Sequence, residues 1–223
     1  MELLPRQGLL INRLIFSLFV FGTITAAVFL LHRSGSSLAA ITIPALWGLG
    51  ALLPGWKGDF PPPVLGLVTP LFQKGMKYFL LSSVIVFPLY AAVFYASRHL
   101  GFSIPAGTAP AGRSILTIIV YNIAVVAFFE ELFFRGYLFD RFEETSRQIF
   151  TGDRIMFWVP VTSTAFLFGA AHVALDLDPA RMAVFFPALL FGWLRARTGS
   201  LVAPILSHAT ANVIFEMLTR SVG

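Results

Sequence analysis

The chain has 223 residues, of which 57% are hydrophobic and only 12% charged, and its mean hydropathy is +0.81. A soluble domain carries about 25% charged residues, so the composition excludes an ordinary soluble fold and predicts an all-α, polytopic membrane bundle. The absence of cysteine excludes disulfides, thiolate metal sites and a cysteine nucleophile. The net charge of +5 falls in loops and helix ends, where it reads as topology and headgroup contact, with no nucleic acid as partner.

A membrane span needs about 20 mostly apolar residues. Seven candidates follow in chain order: Leu14–Leu31, Leu38–Leu53, Lys77–Ala96, Ser114–Tyr137, Ile155–Leu175, Met182–Leu194 and Leu201–Leu218. Arg6 and Arg13 precede the first, which is longer than a signal-peptide core and lacks a small-residue cleavage site. It is expected to be retained, with signal-anchor character. The second and sixth are short and contain Pro44 and Pro187, where kinks are expected. Pro54–Lys74, with Pro61-Pro62-Pro63, is read as an extended linker. Arg98–Arg113 is read as a loop. Leu138–Phe150 continues the fourth span as an amphipathic helix at the interface, with Leu138, Phe142, Thr145 and Ile149 on its apolar side.

Seven spans put Arg6, Arg13, Lys57, Lys74, Lys77, Arg135, Arg141, Arg147, Arg154, Arg195 and Arg197 on one side. Only Arg33, Arg98, Arg113, Arg181 and Arg220 fall on the other. The positive-inside rule then predicts a cytoplasmic N-terminus and an external C-terminus.

Polar residues within the apolar spans point to the chemistry. Glu130 and Glu131 lie in Phe128-Phe129-Glu130-Glu131-Leu132-Phe133-Phe134-Arg135. An acidic side chain at bilayer depth costs roughly 2.5–3.5 kcal/mol on insertion scales and marks a functional site by default. Glu131 and Arg135, four apart, share a helix face and are expected to pair. Glu130, turned about 100° away, is left to face a cavity, as a general base would. Phe168 and His172 repeat the four-residue spacing, so the phenyl ring can pack on the imidazole. His208 and Asn212 repeat it again and put two donors on one face, suited to an oxyanion. Glu216 is read as interfacial.

The ordered set Glu130-Glu131-x-x-x-Arg135, Phe168-x-x-x-His172 and His208-x-x-x-Asn212 resembles the CPBP family. That family groups CAAX prenyl endopeptidases of the Rce1 type with bacterial homologues, also called Abi. The resemblance spans about Ser114 to Leu218. It divides the chain into N-terminal membrane spans, 1–113, and a CPBP-like catalytic core, 114–223. It implies an intramembrane glutamate-type endopeptidase without an obligatory catalytic metal or other cofactor. In that reading Glu130 activates water with help from His172, His208 and Asn212 stabilise the oxyanion, and Glu131, Arg135 and Phe168 support the site.

The implied substrate is a membrane-anchored protein or lipidated peptide, cut during protein maturation or C-terminal sorting. The compact chain and its charge pattern look like those of a multi-pass protein of a bacterial inner membrane. Other readings stay open: a non-proteolytic immunity or scaffold protein of the same family, a proton-coupled transporter using Glu130, or a zinc site built on Glu130, Glu131, His172 and His208.

Overall fold

A computed structural model describes residues 5–36, 38–56, 68–101 and 114–221. The described residues form seven helical bodies: α1 (Pro5–Arg33), α2 (Ala39–Trp56), α3 (Thr69–His99), α4 (Ile115–Ile149), α5 (Asp153–Asp176), α6 (Phe185–Thr198) and α7 (Val202–Ser221). Each expected span falls on one of them. Four are long and apolar enough to cross a membrane: Gly8–Arg33, Thr69–His99, Ile115–Ile149 and Asp153–Asp176. The protein is an all-helical membrane bundle.

The helices outrun the spans because an apolar run marks only the part in lipid, while backbone hydrogen bonding continues into the interface. The expected linker is therefore shorter. α2 runs to Trp56 and α3 begins at Thr69, and the triple proline lies outside the described residues. Most of the expected loop Arg98–Arg113 lies outside them too. Pro187 stands in the first turn of α6, where its missing N–H breaks no helical bond, so no kink arises there. A 3-10 turn over Pro179–Val184 leads into it.

Contacts between helix ends fix the directions. Arg13 near the start of α1 meets Glu144 near the end of α4, at 3.5 Å. His32 at the end of α1 meets Asp176 at the end of α5, at 3.4 Å. Tyr121 near the start of α4 donates to the Ala40 carbonyl at the start of α2. Gly75 near the start of α3 abuts Val202 at the start of α7. The chain thus zigzags, and α1 and α7 end on the same side.

One apolar cluster joins α1, α2, α4, α5, α6 and α7. Trp47 of α2 packs on Phe133 and Phe134 of α4, with ring centroids 5.0 and 5.1 Å apart. Val28 of α1, Phe168 of α5, Ala188 of α6 and Leu201 belong to the same cluster. Glycine lets α5 and α6 approach closely: a Cβ on Gly192 of α6 would stand 3.3 Å from Val161 backbone atoms of α5.

The last part of α4, Phe139–Ile149, continues the span as expected. Its faces are arranged by neighbours as well as by lipid. Thr145 is buried, but Ile149 is exposed and Arg141 buried. Asp140 is 2.9 Å from Arg195 of α6, and Glu144 reaches both Arg141 and Arg13. Ion pairs tie this segment to α1 and α6.

Candidate active site

The site begins with an irregularity in α4. Ser114 caps the helix, its hydroxyl accepting from the Thr117 N–H. The backbone then widens into π-helical turns at Asn122–Ala127 and again at Leu132–Leu138. Between them lies a single α-turn, Phe128–Glu131, which carries both glutamates. Such wide turns occur often at functional sites, since each rotates the following side chains relative to a regular helix.

Glu131 and Arg135 are fully buried. Arg135 Nη1 donates to Glu131 Oε1 at 2.9 Å, the expected pair. Its Nη2 donates to the Ala188 carbonyl of α6 at 3.0 Å. The guanidinium also lies 4.8 Å from the Phe168 ring centroid and 5.4 Å from that of Phe191. Arg135 thus fastens α4 to α6 while apolar rings exclude water around it. A buried pair with this many partners offsets its desolvation far better than a bare ion pair.

His208 joins the same carboxylate. Its Nδ1 donates to Glu131 Oε1 at 2.8 Å. Its Nε2 faces Glu130 Oε2 at 3.8 Å. Glu130 and Glu131 therefore flank one imidazole from its two nitrogens. Expected to point apart, the two carboxylates instead converge on the same residue of α7. Phe191 stacks on the His208 ring at 5.1 Å and Phe168 meets its edge at 5.7 Å, so the imidazole is held on three sides.

His172 sits one turn before the end of α5. Its Nδ1 donates to the Phe168 carbonyl at 2.9 Å, and its ring lies 4.5 Å from the Phe168 ring. The carbonyl can only accept, so this bond puts the proton on Nδ1 and leaves Nε2 as an acceptor. The Phe168 ring thus lies beside both imidazoles, 4.5 Å from that of His172 and 5.7 Å from that of His208. The structure thus gathers Glu130, Glu131, Arg135, Phe168, His172 and His208 from α4, α5 and α7. Asn212 follows His208 by one turn on α7 and is half-buried.

Glu130 Oε2, Glu131 Oε2 and Arg135 Nε are buried with no hydrogen-bond partner among the described residues. Glu130 retains 13% side-chain exposure, whereas Glu131 retains none. Glu130 is thus the reachable carboxylate and Glu131 the fixed one. Among the described residues, no three His, Asp or Glu side chains are arranged to hold a metal ion. Asn122 is spent locally, its amide donating to the Ile118 carbonyl. Glu216 is buried and pairs with Arg220 at 2.8 Å.

Sequence reasoning missed the His208–Glu131 bond and the Arg135–Ala188 bond, both of which need helix packing. It also gave the Phe168–His172 spacing to ring packing alone. The four-residue spacing equally allows a ring nitrogen to reach the carbonyl one turn back, a signal that was present.

These features define a class: a polytopic helical membrane protein with a buried cluster of carboxylates, imidazoles and a guanidinium within its bundle. Residues 112–214 match the family described as type II CAAX prenyl endopeptidase, Rce1-like. The matched stretch contains every residue of the cluster. No curated protein and no solved structure matches the chain.

Proposed function

We propose that the protein is an intramembrane endopeptidase that hydrolyses a peptide bond with a water activated by Glu130 and His172. The observation that carries this reading is the asymmetry of the two glutamates. Glu131 is locked by Arg135 and His208. Glu130 keeps a buried carboxylate oxygen without a partner, beside the imidazole of His208. A base must be within reach of the proton it takes and must not already be bonded elsewhere.

In the proposed reaction, water lies between the Glu130 carboxylate and Nε2 of His172. Its oxygen attacks the peptide carbonyl carbon while Glu130 takes a proton. His208 and Asn212 donate to the oxygen that becomes negative. As the carbonyl re-forms and the C–N bond breaks, Glu130 returns the proton to the leaving amine. For His208 to donate from Nε2 it must carry protons on both nitrogens, because Nδ1 already donates to Glu131. Glu131, Arg135 and Phe168 act as supports.

The substrate class proposed is a membrane-anchored protein or lipidated peptide, processed in maturation or sorting. The proposed setting is a bacterial inner membrane with a cytoplasmic N-terminus, supported by the excess of Lys and Arg on the side where α1 begins. The test compares protein termini in host membranes carrying the native chain, Glu130→Ala or His172→Ala at matched abundance. The same uncleaved precursors accumulating in both variants would support the protease and reveal its substrates. Unchanged termini, with a phenotype that both variants still complement, would replace it with a binding or immunity role.

A further inference from the structure

The end of α5 carries a second polar cluster that the reaction above does not use. Asp176 lies one turn beyond His172. Its carboxylate pairs with Arg181, from the 3-10 turn between α5 and α6, and stands 3.4 Å from Nε2 of His32 at the end of α1. Three separate elements therefore meet on the last residue of the helix that carries His172.

The chain around this cluster is constrained. Leu177 follows with φ of 54°, a left-handed conformation uncommon for a residue with a side chain. Asp178 then turns the chain, its carboxylate accepting from the Ala180 N–H at 2.9 Å. Met182 returns against Gly169, where a Cβ would meet its sulfur at 2.8 Å. The connector is thus pressed against the last two turns of α5, on both sides of His172 in sequence. Strained backbone of this kind persists where neighbours over-determine it.

The last turn of a helix has carbonyls without intrahelical partners and frays readily. His172 borders that turn, four residues before Asp176, and its tautomer is set by a bond to the carbonyl of Phe168 one turn earlier. We propose that Asp176 is a positioning residue. By clasping Arg181 and His32 it holds the final turns of α5 and the connector rigid, and so keeps His172 in the orientation in which Nδ1 donates to Phe168 and Nε2 is left as an acceptor. His32 lies outside the matched stretch, so α1 is part of the device that sets the site.

This inference rests on the proposed role of His172 for its consequence, but its test needs no substrate. Histidine nitrogens would be labelled in the full chain, reconstituted in lipid, and the His172 signals assigned with His172→Gln. The native protein should show a single Nδ1–H tautomer for His172. Asp176→Asn and Arg181→Gln should both give mixed tautomers, and the charge swap Asp176→Arg with Arg181→Asp should restore the single one. A His172 signature unchanged in both single variants would overturn the proposal. So would mixing that tracks loss of the folded state and not the clasp, read from thermal unfolding of the same samples. If Asp176→Asn does not accumulate, His32→Gln removes one arm only and should give partial mixing, with an unchanged signature counting against the clasp. Turnover of a farnesylated CAAX peptide in the same liposomes separates the two readings. Activity abolished by Glu130→Ala but untouched by Asp176→Asn would sink the clasp alone. Activity surviving Glu130→Ala would sink the proposed base.

Discussion

His208 of α7 donates through Nδ1 to the same Glu131 oxygen that accepts from Arg135, at 2.8 and 2.9 Å. One carboxylate oxygen thereby joins a cation of its own helix to an imidazole 77 residues away. The supporting half of the site is a three-residue unit, and its members are expected to fail together.

Removing one member strands the others. Arg135→Met should destabilise the bundle by about 3–5 kcal/mol, because it leaves Glu131 buried and uncompensated. The double variant Arg135→Met, Glu131→Gln should cost clearly less than the sum of its parts, since neither charge is then orphaned. Thermal or denaturant unfolding in detergent checks this. Additive losses would show that the pair is not coupled.

Glu130 and His172 should behave differently. Glu130→Gln and His172→Ala are each expected to lower turnover by roughly 10²–10⁴, the usual contribution of general acid–base groups, with folding yield near native. Glu130 Oε2 makes no hydrogen bond among the described residues, so the fold loses none there. Cleavage assays at matched folded protein measure the effect, and residual activity near native would remove Glu130 from the role of base.

Asn212→Ala tests the oxyanion role. Loss of one such donor costs about 10²–10³ in kcat. The expected signature is a fall in kcat with KM little changed, because the interaction strengthens only as charge develops. A rise in KM alone would make Asn212 a substrate contact.

Gly192 should tolerate little. A Cβ there would meet Val161 backbone atoms at 3.3 Å, and the backbone yields less readily than a side-chain tip. Gly192→Leu is expected to cost about 1–3 kcal/mol by overpacking. It should also displace α6, and with it the Ala188 carbonyl that holds Arg135. Unfolding and turnover measured together check both effects.

Much of the architecture was readable in the chain. Each apolar run became a helix, because lipid leaves the backbone no partner but itself. The Glu131–Arg135 pair was readable for a related reason: residues four apart on a helix are neighbours whatever surrounds them. Pro187 was misread as a kink because its effect depends on where the helix starts, and the 3-10 turn before it moved that start. The burial of Glu216 was not readable, because it depends on the packing of α7 against its neighbours.

The sequence by itself therefore determined that this is a membrane bundle, which polar residues lie within it, and which of them pair along one helix. Only the tertiary structure decided that Glu131 is shared between Arg135 and His208, that Arg135 reaches the Ala188 carbonyl, and that Asp176 gathers His32 and Arg181. These contacts join different helices, and their geometry follows from how α4 to α7 pack and from the wide turns that rotate α4 around its glutamates. A spacing in sequence fixes neighbours only while the chain stays in one regular element. Beyond that element, close packing chooses the partners.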